Sequence, residues 1–316
     1  MNNFKKILIS GGAEVGGLNS FANSLQQGFV DLNTPVEVIA PLELFFRWNE
    51  MRNDSVLKIL STTSVFFSPI CKSSVCVAHG FPRGDAQGFF KQFIILISFC
   101  IGKKFSKLIA VSEYVATHLK AIFNITVDKV IYNPINKNFL EPKPITECQS
   151  DRQYITYVGR LNRVKNIDKF LSALKILLEK DDSYEIWIVG SGELEQSLKQ
   201  KYGNLKRFHF VNHMEPDELV YLLKRTRFFF SGCDTEAFGI TYIEALSQGC
   251  KVLMPTSGGG VEIFPELIGT SVFLISPQFS SDQILDVIFN SNSTNFFINV
   301  DKFSPMNIAR QYLEIF

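Results

Sequence analysis

The sequence predicts an α/β protein of two domains, each built from a parallel β-sheet covered by helices. Short apolar runs recur along the 316 residues, and each is followed by glycine or polar residues and then by a segment of helical period. Strands and helices that alternate in this way favour a parallel sheet, because parallel strands need a crossover between them. The length exceeds that of a usual single-core domain, so we expect two domains.

Nine apolar runs of four to six residues are predicted strands: 7–10, 36–40, 75–79, 108–112, 154–159, 185–190, 207–211, 227–232 and 251–255. Amphipathic segments between them, most clearly 166–180 and 216–225, are predicted helices. The longest apolar run, 93–101, is far shorter than the roughly 18 to 20 residues that span a bilayer, so we expect it to be a buried helix.

The alternation of strand and helix is interrupted by the segment 133–150, which contains three prolines and few apolar pairs. We expect this segment to be a linker, with the domain boundary near residue 145. Two Rossmann-like halves of similar size result. A ligand is expected in the crevice where the carboxyl ends of the strands meet the amino ends of the helices.

Charge, cysteines and histidines disfavour several functions. The formal net charge of +1 leaves no basic footprint for nonspecific nucleic-acid binding. The six cysteines form no C-x-x-C pair and lie in core-like runs, which predicts buried, reduced thiols. The four histidines have no cysteine or carboxylate beside them at zinc-ligand spacing, so we predict no metal site. There is no G-x-S-x-G motif, which disfavours a hydrolase, and the first apolar run is a strand rather than a signal peptide.

The first predicted strand runs into a glycine-rich turn, 11-GGAEVGG-17, and then into a helix. Glycines let a ligand approach the amides at a helix N-terminus, where anions are favoured. These glycines do not fit G-x-G-x-x-G, and the second strand ends in Ala40-Pro41 rather than an acidic residue, which disfavours a nicotinamide dinucleotide site. A tight turn without a ligand is the alternative.

Charged residues follow two predicted strands of the second half. Arg160 and Lys165 share one loop, where two cations can hold a diphosphate; solvated loop charges are the alternative. In 234-DTEAFGITYIEALSQGCKVLMP-255, Glu236 precedes a helix that Gly239 opens, and Glu244 lies roughly 7 Å of rise further along. A phosphate at this N-terminus would leave both carboxylates to accept hydrogen bonds from hydroxyls of one ligand.

Two other junctions are weaker. The Gly190-x-Gly192 pair opens another helix, and a lone Gly-x-Gly is poor support for a site. His213 and Met214 follow a strand at a position where a nucleobase would lie, but a structural role in the loop is the better interpretation of His213.

The segment 236-EAFGITYIE-244 resembles the E-x7-E signature of the retaining glycosyltransferases of family 4. The resemblance extends to 157–174, 188–198, 258–263, 109–116, 130–135 and 303–316, and is strongest from 154 to 263. It implies a GT-B fold of two facing Rossmann-like domains. Residues 1–145 would form the acceptor domain, 146–302 the nucleotide-sugar domain, and 303–316 a helix that crosses back to the N-terminal domain.

The resemblance also implies catalytic roles for four residues. Arg160 and Lys165 would bind the donor diphosphate, and Glu236 would bind the sugar hydroxyls. His79, in 78-AHGFP-82, matches a histidine on the donor-sugar side of the cleft. Ala237 stands where the family commonly has glycine, and 256-TSGGGVEI-263 is a variant of the family's glycine-rich loop, so the selectivity for sugar hydroxyls does not transfer.

The remaining implied positions bind the donor. Glu244 would bind the ribose, the backbone amides of the next helix would bind phosphate, a methionine would lie near the base, and the glycine loop of the N-terminal domain would close on the diphosphate. The residues at these positions are Gly16, Gly17, Gly159, Met214, Gly239, Ile240 and Glu244.

The implied function is a retaining transfer of a hexose from a nucleotide-sugar, with a UDP-sugar favoured over a GDP-sugar, to a cell-surface glycan such as lipopolysaccharide or capsule. No metal or other cofactor and no nucleic-acid partner is expected. We expect a cytoplasmic protein whose stretch 89–104 contacts the inner face of the plasma membrane if the acceptor is lipid-linked. The alternatives are an epimerase or phosphorylase of the same architecture, and a non-catalytic protein that binds sugar nucleotides; the presence of all four charged residues disfavours the latter.

Overall fold

A computed structural model of the protein describes residues 4–11, 17–82, 89–140, 153–291 and 298–316. The chain divides into two compact units, residues 1–137 with 301–316, and residues 138–300. Each unit contains one six-stranded sheet whose paired strands are all parallel. The predicted α/β class is therefore confirmed. The predicted boundary near residue 145 lies outside the described residues.

The sheet of the first unit has the order β2-β1-β3-β4-β5-β6. Its strands are β1 (Lys6–Ser10), β2 (Val36–Ile39), β3 (Val56–Ser61), β4 (Ser74–Ala78), β5 (Lys107–Ala110) and β6 (Lys129–Val130). The helices between them are α1 (Gly17–Asp31), α2 (Trp48–Met51), α3 (Phe89–Phe105) and α4 (Glu113–Phe123), with 3-10 helices at Pro41–Phe46 and Thr62–Ile70.

The sheet of the second unit has the order β12-β11-β10-β7-β8-β9. Its strands are β7 (Gln153–Val158), β8 (Tyr184–Val189), β9 (Phe208–Val211), β10 (Thr226–Phe230), β11 (Lys251–Pro255) and β12 (Val272–Ile275). Its helices are α5 (Ile167–Lys180), α6 (Glu195–Tyr202), α7 (Pro216–Lys224), α8 (Ile240–Ser247) and α9 (Ser281–Asn290). Read from the opposite edge, this is the doubly wound order 3-2-1-4-5-6.

Local sequence explains why these segments fold as they do. In α5, the apolar residues recur every three or four positions and are buried, so one face of the helix packs on the sheet. Beneath it, Phe170 stacks on Phe230 of β10 with ring centroids 4.7 Å apart. All nine predicted strands are present, whereas β3, β6 and β12 were not predicted from the apolar pattern.

The last helix, α10 (Pro305–Leu313), belongs to the first unit and packs against α1. Ser304 caps its N-terminus by accepting a hydrogen bond from the amide of Asn307 at 3.4 Å. A Cβ atom on Gly28 of α1 would lie 2.0 Å from the carbonyl oxygen of Pro305, so only glycine permits this approach. Ile308 and Tyr312 are buried in the same contact.

The helix α3 corrects the expectation of a buried helix at 93–101. It packs on the 3-10 helix Thr62–Ile70, but Phe93 and Cys100 are exposed on its other face. The expectation of buried thiols is thus wrong for Cys100, while the other described cysteines are buried. Within the described parts of the chain, no helix is both long enough and apolar enough to cross a bilayer.

Candidate functional site

The order of the second sheet points to one position for a ligand. β7 and β10 are neighbours in the sheet, although β8 and β9 lie between them in the sequence. From this pair, the chain continues to β8 on one side and to β11 on the other. In such sheets the crevice beyond the carboxyl ends of the two strands is the usual ligand site.

The loop after β7 carries Gly159 and Arg160, and it lies directly against the loop after β8. A Cβ atom on Gly190 would lie 1.9 Å from the carbonyl oxygen of Gly159, and one on Gly192 would lie 2.4 Å from that of Leu161. The Gly-x-Gly pair, weak as a ligand motif, is therefore explained by backbone packing. Its effect is to support the loop that carries the exposed Arg160 side chain.

Lys165 and Glu236 form an ion pair between the loops after β7 and β10, with the ammonium donating a hydrogen bond to the carboxylate. Their side chains are 25% and 22% exposed. The loops are also joined by Asn166, whose side-chain amide donates to the carbonyl oxygen of Gly232 at 3.0 Å. Burial alone would lower the pKa of Lys165, but the Glu236 carboxylate and other nearby groups raise it above its usual range. Lys165 is therefore charged at neutral pH.

The N-terminus of α8 lies just after this ion pair. Gly239 is the N-cap residue and has a φ of +90°, a left-handed conformation that favours glycine. A second turn, Gly258–Gly260, comes close to the same segment, because the Gly259 amide donates to the carbonyl oxygen of Glu236 at 2.7 Å. Amides of Gly239 and Ile240 at a helix N-terminus are suited to hold an anion.

Glu244 lies within α8 and is only 6% exposed. Burial raises the pKa of its carboxyl to about 8. Within the described residues the carboxyl group makes no hydrogen bond to another side chain or to the backbone. A buried carboxyl group without a partner is costly in free energy, and hydroxyl groups of a ligand would remove that cost.

Four other predicted site residues belong to other segments of the chain. Met214, which follows β9, is half-buried. Gly17 is the exposed first residue of α1, and Gly16 lies outside the described residues. His79 follows β4 in the first unit, where its Nε2 atom lies 3.2 Å from Ser61 Oγ and its ring meets Phe21 edge-on. Burial lowers the pKa of His79 to about 4, so the imidazole is neutral at physiological pH.

Sequence reasoning missed Tyr242, whose ring is buried beside this site. Burial is the main cause that raises the pKa of Tyr242 well above its usual range, and the nearby Glu236 carboxylate raises it further. Its position within the E-x7-E segment was the available signal. Across the residues described, no group of three or more histidine, cysteine or acidic side chains could hold a metal ion.

Comparison with known proteins finds a family similarity in the second unit. Residues 140–292 match the family model of the glycosyl transferases group 1. The second unit is therefore similar to that family. An uncharacterised glycosyltransferase of Methanocaldococcus jannaschii is 26% identical in an alignment of 232 positions that covers 66% of this chain and 59% of that protein. The chain thus spans about three fifths of the length of this curated relative, and less of other relatives.

Solved structures share the fold of this chain. Anabaena HepE, solved with UDP and glucose, matches with a TM-score of 0.68 at 18% identity, covering 99% of this chain and 94% of HepE. WaaG, a glycosyltransferase involved in lipopolysaccharide biosynthesis, matches with a TM-score of 0.70 at 14% identity, covering 98% of this chain and 95% of WaaG. At these identities the likeness establishes the fold alone, and it confirms the predicted GT-B type with two Rossmann-like domains.

Proposed function

We propose that the protein is a retaining glycosyltransferase that takes a hexose from a nucleotide-sugar, with a UDP-sugar favoured over a GDP-sugar. The observation that carries this proposal is the Lys165–Glu236 ion pair at the switch point of a group 1 domain, with the unpartnered Glu244 carboxyl group on the next helix. The UDP and glucose in the HepE structure support a donor of this class.

Each part of the site suits one part of the donor. Arg160 and Lys165 provide two positive charges for the diphosphate, and the amides of Gly239 and Ile240 add donors at a helix N-terminus. Glu244 would accept hydrogen bonds from the ribose hydroxyls. Met214 would lie near the base, and Gly159 lets the loop backbone approach the phosphates. Gly16, Gly17 and His79 remain proposed contacts from the first unit.

Glu236 would bind the hydroxyls of the transferred sugar. In the protein without ligand its carboxylate is paired with Lys165, so the diphosphate would draw this ammonium toward itself and leave the carboxylate for the sugar. We expect the leaving diphosphate to act as the base, with the acceptor attacking from the face that the diphosphate leaves. The anomeric configuration would then be retained without a covalent intermediate on Glu236. No metal ion is needed in this scheme, because the cations and amides stabilise the leaving group.

The acceptor that we propose is a growing cell-surface glycan such as lipopolysaccharide or capsule, and the link of WaaG to lipopolysaccharide biosynthesis supports this class. A lipid-linked acceptor fits the surface of the first unit. Phe90 and Phe93 are exposed on α3, whose last turn carries Lys103 and Lys104. Phe46 is 89% exposed. It lies in the 3-10 helix Pro41–Phe46, which packs on Thr62–Ile70, the same 3-10 helix on which α3 packs. Contact with an anionic membrane surface would cover these side chains.

Donor binding tests the site directly. Isothermal calorimetry with UDP-glucose and GDP-mannose should show that Arg160→Ala and Lys165→Ala each weaken binding by roughly 2 to 5 kcal/mol. Lys169→Ala is the matched control, because Lys169 is an exposed cation on α5. Unchanged affinity in both variants would refute the diphosphate assignment. Release of free sugar without an acceptor would instead favour the epimerase or phosphorylase alternative.

Membrane contact has its own test. Sedimentation with vesicles that contain phosphatidylglycerol should recover the wild-type protein, and Phe46→Ser combined with Phe93→Ser should reduce recovery several-fold. Phe289→Ser removes an exposed aromatic side chain of the second unit and should leave recovery unchanged. Equal recovery of all variants would refute contact through this surface while leaving the donor site intact.

A further inference from the structure

Tyr242 lies between two glycine-bearing segments of the group 1 domain. A Cβ atom on Gly239 would lie 2.4 Å from the Cδ2 atom of the Tyr242 ring, and one on Gly260 would lie 2.5 Å from its Cε2 atom. The side chain is 3% exposed. The ring therefore fills the space that side chains at both glycine positions would otherwise take.

Both segments belong to the proposed donor site. Gly239 begins α8, and the Gly258–Gly260 turn is joined to the site by the hydrogen bond from the Gly259 amide to Glu236. An aromatic ring has few rotamers and holds its shape when packed. A ring in contact with both backbones fixes the distance between them, and hence the placement of their amides.

The hydroxyl group of Tyr242 is buried beside the Ser231 side chain, but it makes no hydrogen bond of standard geometry to the described residues. Its close electrostatic neighbours include Glu236 and Lys165. A buried hydroxyl whose contact with Ser231 is poor in geometry costs free energy that phenylalanine would avoid, and this cost would fall in a state in which the hydroxyl donates to a carboxylate. Its raised pKa keeps it protonated, and it can therefore donate to a carboxylate.

We propose that Tyr242 is a positioning residue of the donor site, whose ring fixes the spacing of the α8 N-terminus and the Gly258–Gly260 turn and whose hydroxyl donates to Glu236 when the donor diphosphate draws Lys165 away. This inference rests on the proposed function for its second part. With Lys165 engaged by phosphate, a donor from α8 keeps the Glu236 carboxylate oriented toward the sugar. The first part concerns the protein without ligand.

Two substitutions separate the ring from the hydroxyl. Tyr242→Phe keeps the ring, so UDP affinity should stay within about twofold of wild type, while kcat should fall about 10- to 100-fold, as for loss of a hydrogen bond to a charged group. In a Glu236→Gln background, Tyr242→Phe should have little further effect on kcat, since the two groups act together. Tyr202→Phe removes another buried phenol of the second unit and should leave kcat unchanged.

Tyr242→Leu removes the ring, and the expected result is a loss of UDP affinity of about tenfold or more. In the protein without ligand, amide hydrogen exchange at Gly259 should become at least tenfold faster, because the hydrogen bond from this amide to Glu236 loses support. Tyr242→Met replaces the leucine variant if the latter does not fold.

Wild-type exchange at Gly259 would overturn the role of the ring. Wild-type kcat in Tyr242→Phe would overturn the role of the hydroxyl. A wild-type protein that binds no nucleotide-sugar would refute the proposed function and the role of the hydroxyl with it, while the exchange result still decides the role of the ring.

Discussion

Replacing Glu244 by glutamine should make the protein more stable and a poorer binder of its donor. Glu244 is buried in α8, and its carboxyl group has no hydrogen-bonding partner in the described structure. Glutamine has nearly the same shape but carries no charge at any pH. The substitution therefore removes the cost of an ionisable group at this position and also removes the carboxyl group whose oxygens would accept hydrogen bonds from ligand hydroxyls.

The magnitude follows from the pKa of the group. The unfolded chain releases this proton near pH 4.5, whereas burial raises the pKa of Glu244 in the native protein to about 8. Each pH unit between these values lowers the free energy of unfolding by about 1.36 kcal/mol. At pH 7 the native state is therefore less stable by roughly 3 kcal/mol than it would be with a side chain that cannot ionise. This penalty is absent below pH 4.5, grows as the unfolded state alone loses the proton, and levels off above about pH 8. Allowing for relaxation, we expect a gain of about 1 to 3 kcal/mol at pH 7 to 8.

Urea unfolding between pH 4.5 and 8.5 measures this gain. The fluorescence of Trp187 on β8 reports on the second unit if Trp48 is replaced by phenylalanine. Glu266→Gln, an exposed site, is the control and should change the unfolding free energy little at any pH. A Glu244→Gln variant that is less stable than wild type at pH 8, or whose advantage does not shrink toward pH 4.5, would refute the reasoning.

Three further predictions concern packing, metal ions and catalysis. Gly190→Ala should lower the unfolding free energy by about 2 kcal/mol or more, because its methyl group would overlap the carbonyl of Gly159. Gly17→Ala should be tolerated, because no atom lies within 4 Å of its Cβ position. Urea unfolding measures both variants. Sugar transfer should continue in EDTA, and activity that returns only with manganese or magnesium would contradict the proposed role of the cations. Glu236→Gln should lower kcat by about 10² to 10³, while Glu244→Gln should chiefly raise the donor KM. NMR of the product should show the anomeric configuration of the donor, and an inverted product or identical defects in the two variants would overturn the scheme.

The apolar pattern predicted most of the described strands, but it missed β12, 272-VFLI-275, although that run is apolar throughout, and it also missed β3. β3 was missed because Lys58 lies in the middle of 56-VLKILS-61. In the structure Lys58 is fully buried, and its ammonium donates to the carbonyl oxygens of Asn53, at 2.7 Å, and Lys72. Backbone acceptors supplied by the fold cannot be inferred from a run of residue types.

The sequence predicted most residues of the candidate site but not the contacts between them. The sequence allowed the inference that these βα loops are neighbours, because the loops that follow the strands of a parallel sheet, here with glycine and charged residues, meet at one edge of the sheet. The pairing of Lys165 with Glu236 depends on the adjacency of β7 and β10 and on the Asn166–Gly232 hydrogen bond, which links residues 66 positions apart. Tyr242 was missed for a similar reason, since its importance comes from Gly260 on a later turn.

The packing of α10 on α1 has a consequence for synthesis of the protein. The first unit draws on residues from both ends of the sequence, whereas the second is a continuous stretch, 138–300. The groove around Gly28 that accepts α10 is therefore unfilled on the ribosome until residue 313 has been made and has left the exit tunnel. The second unit can complete its sheet and core while the first, although translated earlier, still exposes the surface of α1. The second unit would then complete its native structure before the first unit, although the first is translated earlier. A nascent chain stalled before residue 305 would be a ready substrate for chaperones.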